Sequence, residues 1–199
     1  MQPYAFPYGG YFRLLSETDL FIVLDDVQMI RRGYVHRNRL PDANGKLQWL
    51  TLPLAYAPQE TLIRDIRFAG DSLERWNAQL SRFPLVKNLT PEVWSALWFA
   101  HPDRLFVDYA VSLLAACCND MEIQTPLARA SDYNLPREIH GQDRILALCG
   151  LTGATTYVNS PGGRALYDPA DFAAAGVNLE FLPPWTGSNE SVLSALATS

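Results

Sequence analysis

Gln2-Pro3-Tyr4-Ala5-Phe6-Pro7-Tyr8-Gly9-Gly10-Tyr11-Phe12-Arg13-Leu14-Leu15 opens the chain, and Leu20-Phe21-Ile22-Val23-Leu24-Asp25-Asp26 follows shortly after. Pro3 and Pro7 hold the backbone extended and remove two donors. Gly9 and Gly10 allow either a positive φ or the close approach of another group. From Tyr11 to Thr18 the pattern turns helical, with Phe12 and Leu15 inward. A helix entered through a glycine turn presents bare N–H groups, which suit phosphate or carboxylate. The plainer alternative is an aromatic plug with an irregular turn. Leu20 to Leu24 is apolar on both faces and predicts a buried, parallel strand. Its carboxyl end carries Asp25 and Asp26, where open α/β sheets place ligands. These carboxylates suit a magnesium ligand, a general base or an acceptor for an amine or hydroxyl; the alternative is a solvated acidic strand end.

Working outward, Arg31-Arg32-Gly33-Tyr34-Val35-His36-Arg37-Asn38-Arg39 packs four arginines into nine residues of a chain whose net charge is −5. Guanidinium forks suit phosphates or carboxylates, and a solvated hairpin arm is the bland reading. Asn44-Gly45 marks a turn, with a strand over Gln48 to Leu54 after it. Leu62 to Phe68 alternates and predicts another strand.

From Ser72 the period becomes helical. Stripes occur over Leu73 to Leu80, Pro91 to Ala100 and Arg104 to Asn119. Thr125 to Ser131 then predicts a strand, His140 onward a helix, and Thr156-Tyr157-Val158-Asn159 a strand. A helix around Phe172 and a strand from Val177 to Leu182 complete the order. This alternation predicts an α/β protein with a Rossmann-like, mostly parallel sheet, a β-hairpin excursion and a helical insertion. The organisation expected is an N-terminal α/β half over 1–70, a helical insertion or cap over 71–122 and a C-terminal α/β half over 123–199, together one compact domain. Ser160-Pro161-Gly162-Gly163 after a strand could cradle an anion or be a plain turn.

Composition narrows the function. The chain has 199 residues, 48% hydrophobic and 19% charged, as a packed globule requires. Its acidic balance argues against general nucleic-acid binding. Cys117, Cys118 and Cys149 lack metal-ligand spacing and predict buried thiols in a cytoplasmic protein. His36, His101 and His140 form no zinc motif, so no metal site is expected. No stretch is apolar enough to span a bilayer. The abrupt start on the aromatic motif raises the expectation of a strand upstream.

Several anchors, taken together, resemble the WbqC-like family. They are Gln2-Pro3-Tyr4-x-Phe6-Pro7-Tyr8-x-Gly10-Tyr11-Phe12, Asp25-Asp26-Val27-Gln28, Arg32-Gly33-Tyr34-Val35-x-Arg37-Asn38 and Trp49-Leu50-Thr51-x-Pro53. Thr156-Tyr157-Val158-Asn159 and Gly162-Gly163-x-x-Leu166-Tyr167 complete the set. The resemblance implies a bacterial cytoplasmic protein linked to surface-polysaccharide, O-antigen or natural-product biosynthesis. It further implies transfer of an acyl or aminoacyl group, such as glycyl, to an amino sugar. Ser191-Val192-Leu193-Ser194-Ala195 resembles only the beginning of the family's hydrophobic tail. The Pro-x-x-Gly-Tyr turn also resembles in layout the His-x-Gly-His turn of nucleotidylyltransferases, with Tyr8 and Tyr11 in the histidine-like places.

The expected site follows. Asp25 or Asp26 accepts the proton of an attacking amine, and Asn38 orients an acyl carbonyl. Gln2, Tyr4, Tyr8, Gly10, Tyr11, Gln28, Arg32, Arg37, Tyr157, Gly162, Gly163 and Tyr167 bind substrate. The expected partner is a small-molecule amine or sugar nucleotide, with an aminoacyl donor as one option; the residues leave the cofactor unknown. No Ser/His/Asp or Cys/His constellation supports a covalent acyl-enzyme. The alternatives are a non-catalytic sugar-nucleotide-binding scaffold and a nucleotidyltransferase-like enzyme.

Overall fold

The computed structural model describes residues 1–30, 33–98 and 100–198. It is a mixed α/β protein with short parallel and antiparallel strand pairs and several helices.

Helix α1 (Gly9–Ser16) starts directly on the glycine pair and leads into strand β1 (Phe21–Val23). β1 pairs in parallel with β4 (Leu127–Arg129). Just ahead of β4, Thr125 is tied to the end of α1, because its hydroxyl donates to Leu15 O at 2.8 Å and Thr18 O at 3.1 Å. β2 (Arg37–Pro41) and β3 (Leu47–Thr51) form the antiparallel hairpin that Asn44-Gly45 predicts. Its turn is held by Asp42, whose Oδ1 accepts from the N–H groups of Asn44 and Lys46, and by Gly45 at φ +75°. β5 (Thr156–Asn159) and β6 (Asn178–Phe181) form a second parallel pair. Among the described residues the strands thus form three separate pairs.

The expected strand over Leu62 to Phe68 does not form. The chain instead makes a 3-10 turn over Ile63–Asp65. Backbone bonds from Ile63 N to Val27 O and from Arg64 N to Asp25 O pull it around the end of β1. Only Ile66 and Phe68 keep the alternation; Ile63 is buried out of phase with them, because the 3-10 turn brings it inward.

Helices α2 (Ser72–Leu80), α3 (Pro91–Trp98) and α4 (Phe106–Asp120) occupy the middle third. Their apolar faces share one core with the opening run. Phe6 stacks on Trp76 of α2 with ring centroids 5.8 Å apart, and Trp76 meets Tyr109 of α4 edge-on. The polar tips of both are satisfied: Trp76 Nε1 and the Tyr109 hydroxyl both donate to Leu97 O, at 3.0 and 2.9 Å. Each such buried ring contributes about 1.5–3 kcal/mol.

A second, smaller core lies under α5 (Gly141–Thr152) and α6 (Pro169–Ala174), built from Ile145, Cys149, Phe172 and Val177. The chain ends in a short helix α7 (Leu193–Leu196) that packs on the main core. No helix among the described residues is long and apolar enough to cross a membrane.

Candidate functional site

The opening run is held along its whole length. Gln2 Nε2 donates to Gln28 O at 2.8 Å, and Gln2 Oε1 accepts from Ile30 N at 3.4 Å. Ala5 N donates to Val35 O, and Val192 N donates to Pro7 O. Asn38, buried, donates through Nδ2 to Phe6 O at 2.8 Å while its Oδ1 accepts from Arg39 N. Its amide therefore clamps the aromatic run to β2, and both ends of the side chain are engaged.

Tyr11 points inward. Its hydroxyl donates to Gln2 O at 3.0 Å, its ring stacks on Tyr4, and burial pushes its phenol far above the ordinary tyrosine range. This phenol is a packing element facing Gln2.

Gly9 and Gly10 are needed for a close approach rather than for a positive φ. A Cβ on Gly9 would stand 2.7 Å from Trp185 Cζ2, and one on Gly10 would stand 3.0 Å from Trp185 Cγ and collide with the Tyr8 ring. The indole is fixed by its own N–H, which donates to Ser188 O at 2.9 Å, and by the Arg13 guanidinium 5.5 Å above the ring. Arg13 in turn donates to Pro183 O. An indole thus covers the glycine turn where an anion was expected. Gly10→Ala should displace the Trp185 or Tyr8 ring and cost about 1–3 kcal/mol. A chemical melt paired with tryptophan emission checks this; an unchanged melt and spectrum would refute the packing argument.

The two aspartates at the end of β1 are both engaged. Asp25 is fully buried, and its Oδ1 and Oδ2 accept from Ser131 N at 2.9 Å and Ser131 Oγ at 2.8 Å. It ties the ends of β1 and β4 together. Asp26 forms a two-pronged pair with Arg144 of α5, with Nε 3.3 Å from Oδ1 and the second contact between Nη2 and Oδ2. Arg144 is also buried and donates to Pro136 O at 3.0 Å and Ile139 O at 2.6 Å. Every oxygen of this acidic pair therefore has a partner within the fold.

The outward groups gather on the hairpin. Asn38, Leu40 and Leu50 face the core, so the period of two turns Arg37, Arg39 and Trp49 to the other face. The Arg37 guanidinium lies 4.6 Å from the centre of the Trp49 ring, and that of Arg39 5.9 Å. Tyr34 packs on the same indole with centroids 5.9 Å apart. Both Tyr34 and Trp49 are 41% exposed, so the stack has an open side. Tyr4 adjoins it: burial raises its phenol above the usual value, with smaller contributions from Tyr8 and Tyr34. Gln28 is exposed. His36 is held below its ordinary range by burial and then by Arg37, so its imidazole is neutral at pH 7. Arg32 lies outside the described residues.

At the C-terminal pair, the Tyr157 and Tyr167 hydroxyls are 3.1 Å apart, and Asn159 Nδ2 donates to Tyr167 at 3.4 Å. A Cβ on Gly163 would stand 2.6 Å from Asn159 Nδ2, whereas Gly162 faces open space. Both tyrosine rings pack on Phe172, and burial pushes the Tyr157 phenol well above its normal range. Among the described residues no three of His, Cys, Asp and Glu are grouped to hold a metal ion.

A model of the WbqC-like protein family matches residues 2–187. The chain belongs to that family. It is also similar to the uncharacterized protein Rv1507c of Mycobacterium tuberculosis, at 30% identity over 175 residues, which is 83% of this chain and 73% of the relative. No solved structure matches it.

In this WbqC-like chain the motif residues divide by role. Gln2, Tyr11, Asp25, Asp26, Asn38, Gly163 and Tyr167 hold one another or the backbone. Tyr4, Tyr8, Gln28, Tyr34, Arg37 and Trp49 keep exposed or half-buried surface, and Tyr34, Arg37 and Trp49 form one stack. Ser131, Arg144 and Trp185 were missed as site residues. No short-range signal marks them, since their partners lie far away along the chain.

Proposed function

We propose that this WbqC-like protein transfers an acyl or aminoacyl group, such as glycyl, to the amine of an amino-sugar nucleotide in bacterial surface-polysaccharide biosynthesis. The substrate binds on the rim built by Tyr4, Tyr8, Tyr34, Arg37 and Trp49. The observation that carries the binding half is the Trp49 indole, half open to solvent with two guanidinium groups stacked against it. An exposed aromatic plane takes a base or sugar face, while guanidinium groups pair with phosphate oxygens. Phenol hydroxyls on the same rim add neutral hydrogen bonds to sugar or phosphate. The reaction class rests on the family resemblance.

Asp25 and Asp26 enter this reading as positioning residues. Their oxygens already accept from Ser131 and Arg144, and they tie the end of β1 to the turn after β4 and to α5. That same engagement favours a second reading, a sugar-nucleotide-binding scaffold without turnover.

Calorimetric titration with a panel of amino-sugar nucleotides tests the binding half. Trp49→Ala and Arg37→Ala should each weaken binding by about tenfold or more, near 1.4 kcal/mol. Equal affinity in both variants would remove the rim from the function. Mass spectrometry of reactions supplied with aminoacyl donors then separates the readings: an acylated sugar supports transfer, and an unchanged ligand supports the scaffold.

A further inference from the structure

The parallel pair β5/β6 gathers polar groups on one face at its carboxyl end. Alternation puts Tyr157 and Asn159 of β5 on the same side as Leu179 and Phe181 of β6, and Asn159 and Phe181 are register partners at the last position. The 3-10 turn over Pro161–Leu166 returns Tyr167 to this face, where its ring meets those of Tyr157, Phe172 and Phe181 at 5.5, 5.6 and 6.4 Å. Gly163 permits the return, because a Cβ there would stand 2.6 Å from Asn159 Nδ2 and 3.3 Å from the Tyr167 ring.

The hydroxyl protons on this face do not balance. Asn159 accepts from Ser160 N through Oδ1 and donates to the Tyr167 oxygen through Nδ2. The Tyr157 and Tyr167 hydroxyls bond each other at 3.1 Å, and a single proton lies in that bond. Whichever tyrosine donates, the O–H of the other has no acceptor among the described residues. Burial keeps Tyr157 protonated, so the pair offers a neutral donor.

Arg164 adds charge beside it. Arg164 and Tyr167 are three residues apart, about one 3-10 turn, so they leave the turn on the same side. Both pack on Phe181, the guanidinium 4.7 Å from the ring centre. Arg164 is exposed and forms no ion pair among the described residues. The neighbouring carboxylates are engaged elsewhere. Asp168 Oδ1 accepts from Ala170 N at 2.9 Å, and Glu180, on the other face of β6, accepts from Asn178 Nδ2.

We propose that the carboxyl end of β5/β6 binds a small oxyanion, a carboxylate or phosphoryl group, between the unspent phenol proton and the Arg164 guanidinium. The charged fork supplies attraction, and the neutral O–H fixes one oxygen. The carboxyl ends of parallel strands are where α/β proteins place ligands. This inference does not rest on the reading of the Trp49 rim.

The test titrates isotope-labelled protein with sodium phosphate and, separately, sodium acetate at constant ionic strength, following the Asn159 side-chain amide by NMR. At least one anion should shift that signal saturably, with a dissociation constant on the order of 1 mM. The anion that does so distinguishes phosphoryl from carboxylate chemistry. Arg164→Ala and Tyr157→Phe/Tyr167→Phe should each weaken binding by about tenfold or more. Arg164 is exposed, so its truncation keeps the test valid even where the double variant does not fold. A signal that saturates with neither anion, or unchanged affinity in Arg164→Ala or in the folded double variant, would overturn the proposal.

Discussion

Arg144→Ala is expected to cost about 3–5 kcal/mol of folding stability, because it leaves the buried Asp26 carboxylate without its counter-charge. Arg144 also supplies N–H groups to Pro136 O and Ile139 O, so its loss leaves carbonyls unpaired as well. In a chain this long the corresponding fall in Tm is about 10 °C. Urea unfolding of the single variants and of Asp26→Ala/Arg144→Ala forms the cycle. The double variant should lose clearly less than the sum of the two singles, because the second truncation removes the orphaned charge. Additive losses would mean that the pair does not join the end of β1 to α5 energetically. This measurement also bears on the reaction. A strongly coupled Asp26 is a positioning residue, whereas an uncoupled one is free to serve as the proton acceptor.

Stability should rise by roughly 4 kcal/mol between pH 5 and pH 8 through the terminal amine alone. Burial lowers the Met1 amino group from 8.0 to about 5. An amine with a depressed folded value is neutral in the native chain while the unfolded chain still binds a proton. The unfolded state therefore holds more protons across that window. Stability is complete above pH 8 and is lost as the pH falls towards 5. Glu17, Asp19 and Glu180 line the cleft beside Met1. His36 shifts in the same direction. Nα-acetylation isolates the Met1 contribution, because it removes the titrating group and leaves the others in place. Acetylated and free chains with the same slope from pH 5 to 8 would show that the amine is solvated.

Much of the local structure was legible because it depends on short-range pattern. The glycine pair before α1, Asn44-Gly45 in the hairpin and the apolar stripes of α2, α3 and α4 each report a turn or a buried face within a few residues. The family was legible for a related reason, since its anchors are short clusters in a set order. The expectation of a strand over Leu62 to Phe68 failed because backbone bonds to Val27 and Asp25, far away in the chain, set a turn at Ile63 and put it out of phase with Ile66 and Phe68. Asp25 and Asp26 stood out as reactive because the end of a strand is where ligands often sit. Nothing near them in the chain shows that Ser131 and Arg144 hold them.

By itself, then, the sequence determined which residues face inward, where the turns fall and which family the chain joins. Only the tertiary structure decided partnership. Ser131 meets Asp25 across 106 residues, Arg144 meets Asp26 across 118, and Trp185 seals the turn at Gly9 and Gly10 from the opposite end of the chain. The physical reason is that loop-closure entropy grows only slowly with loop length, so distance along the chain barely restricts which buried groups can pair. Burial then requires each polar group to find a partner wherever packing brings one. This requirement engaged the conspicuous carboxylates within the fold and left Tyr34, Arg37 and Trp49 with open surface.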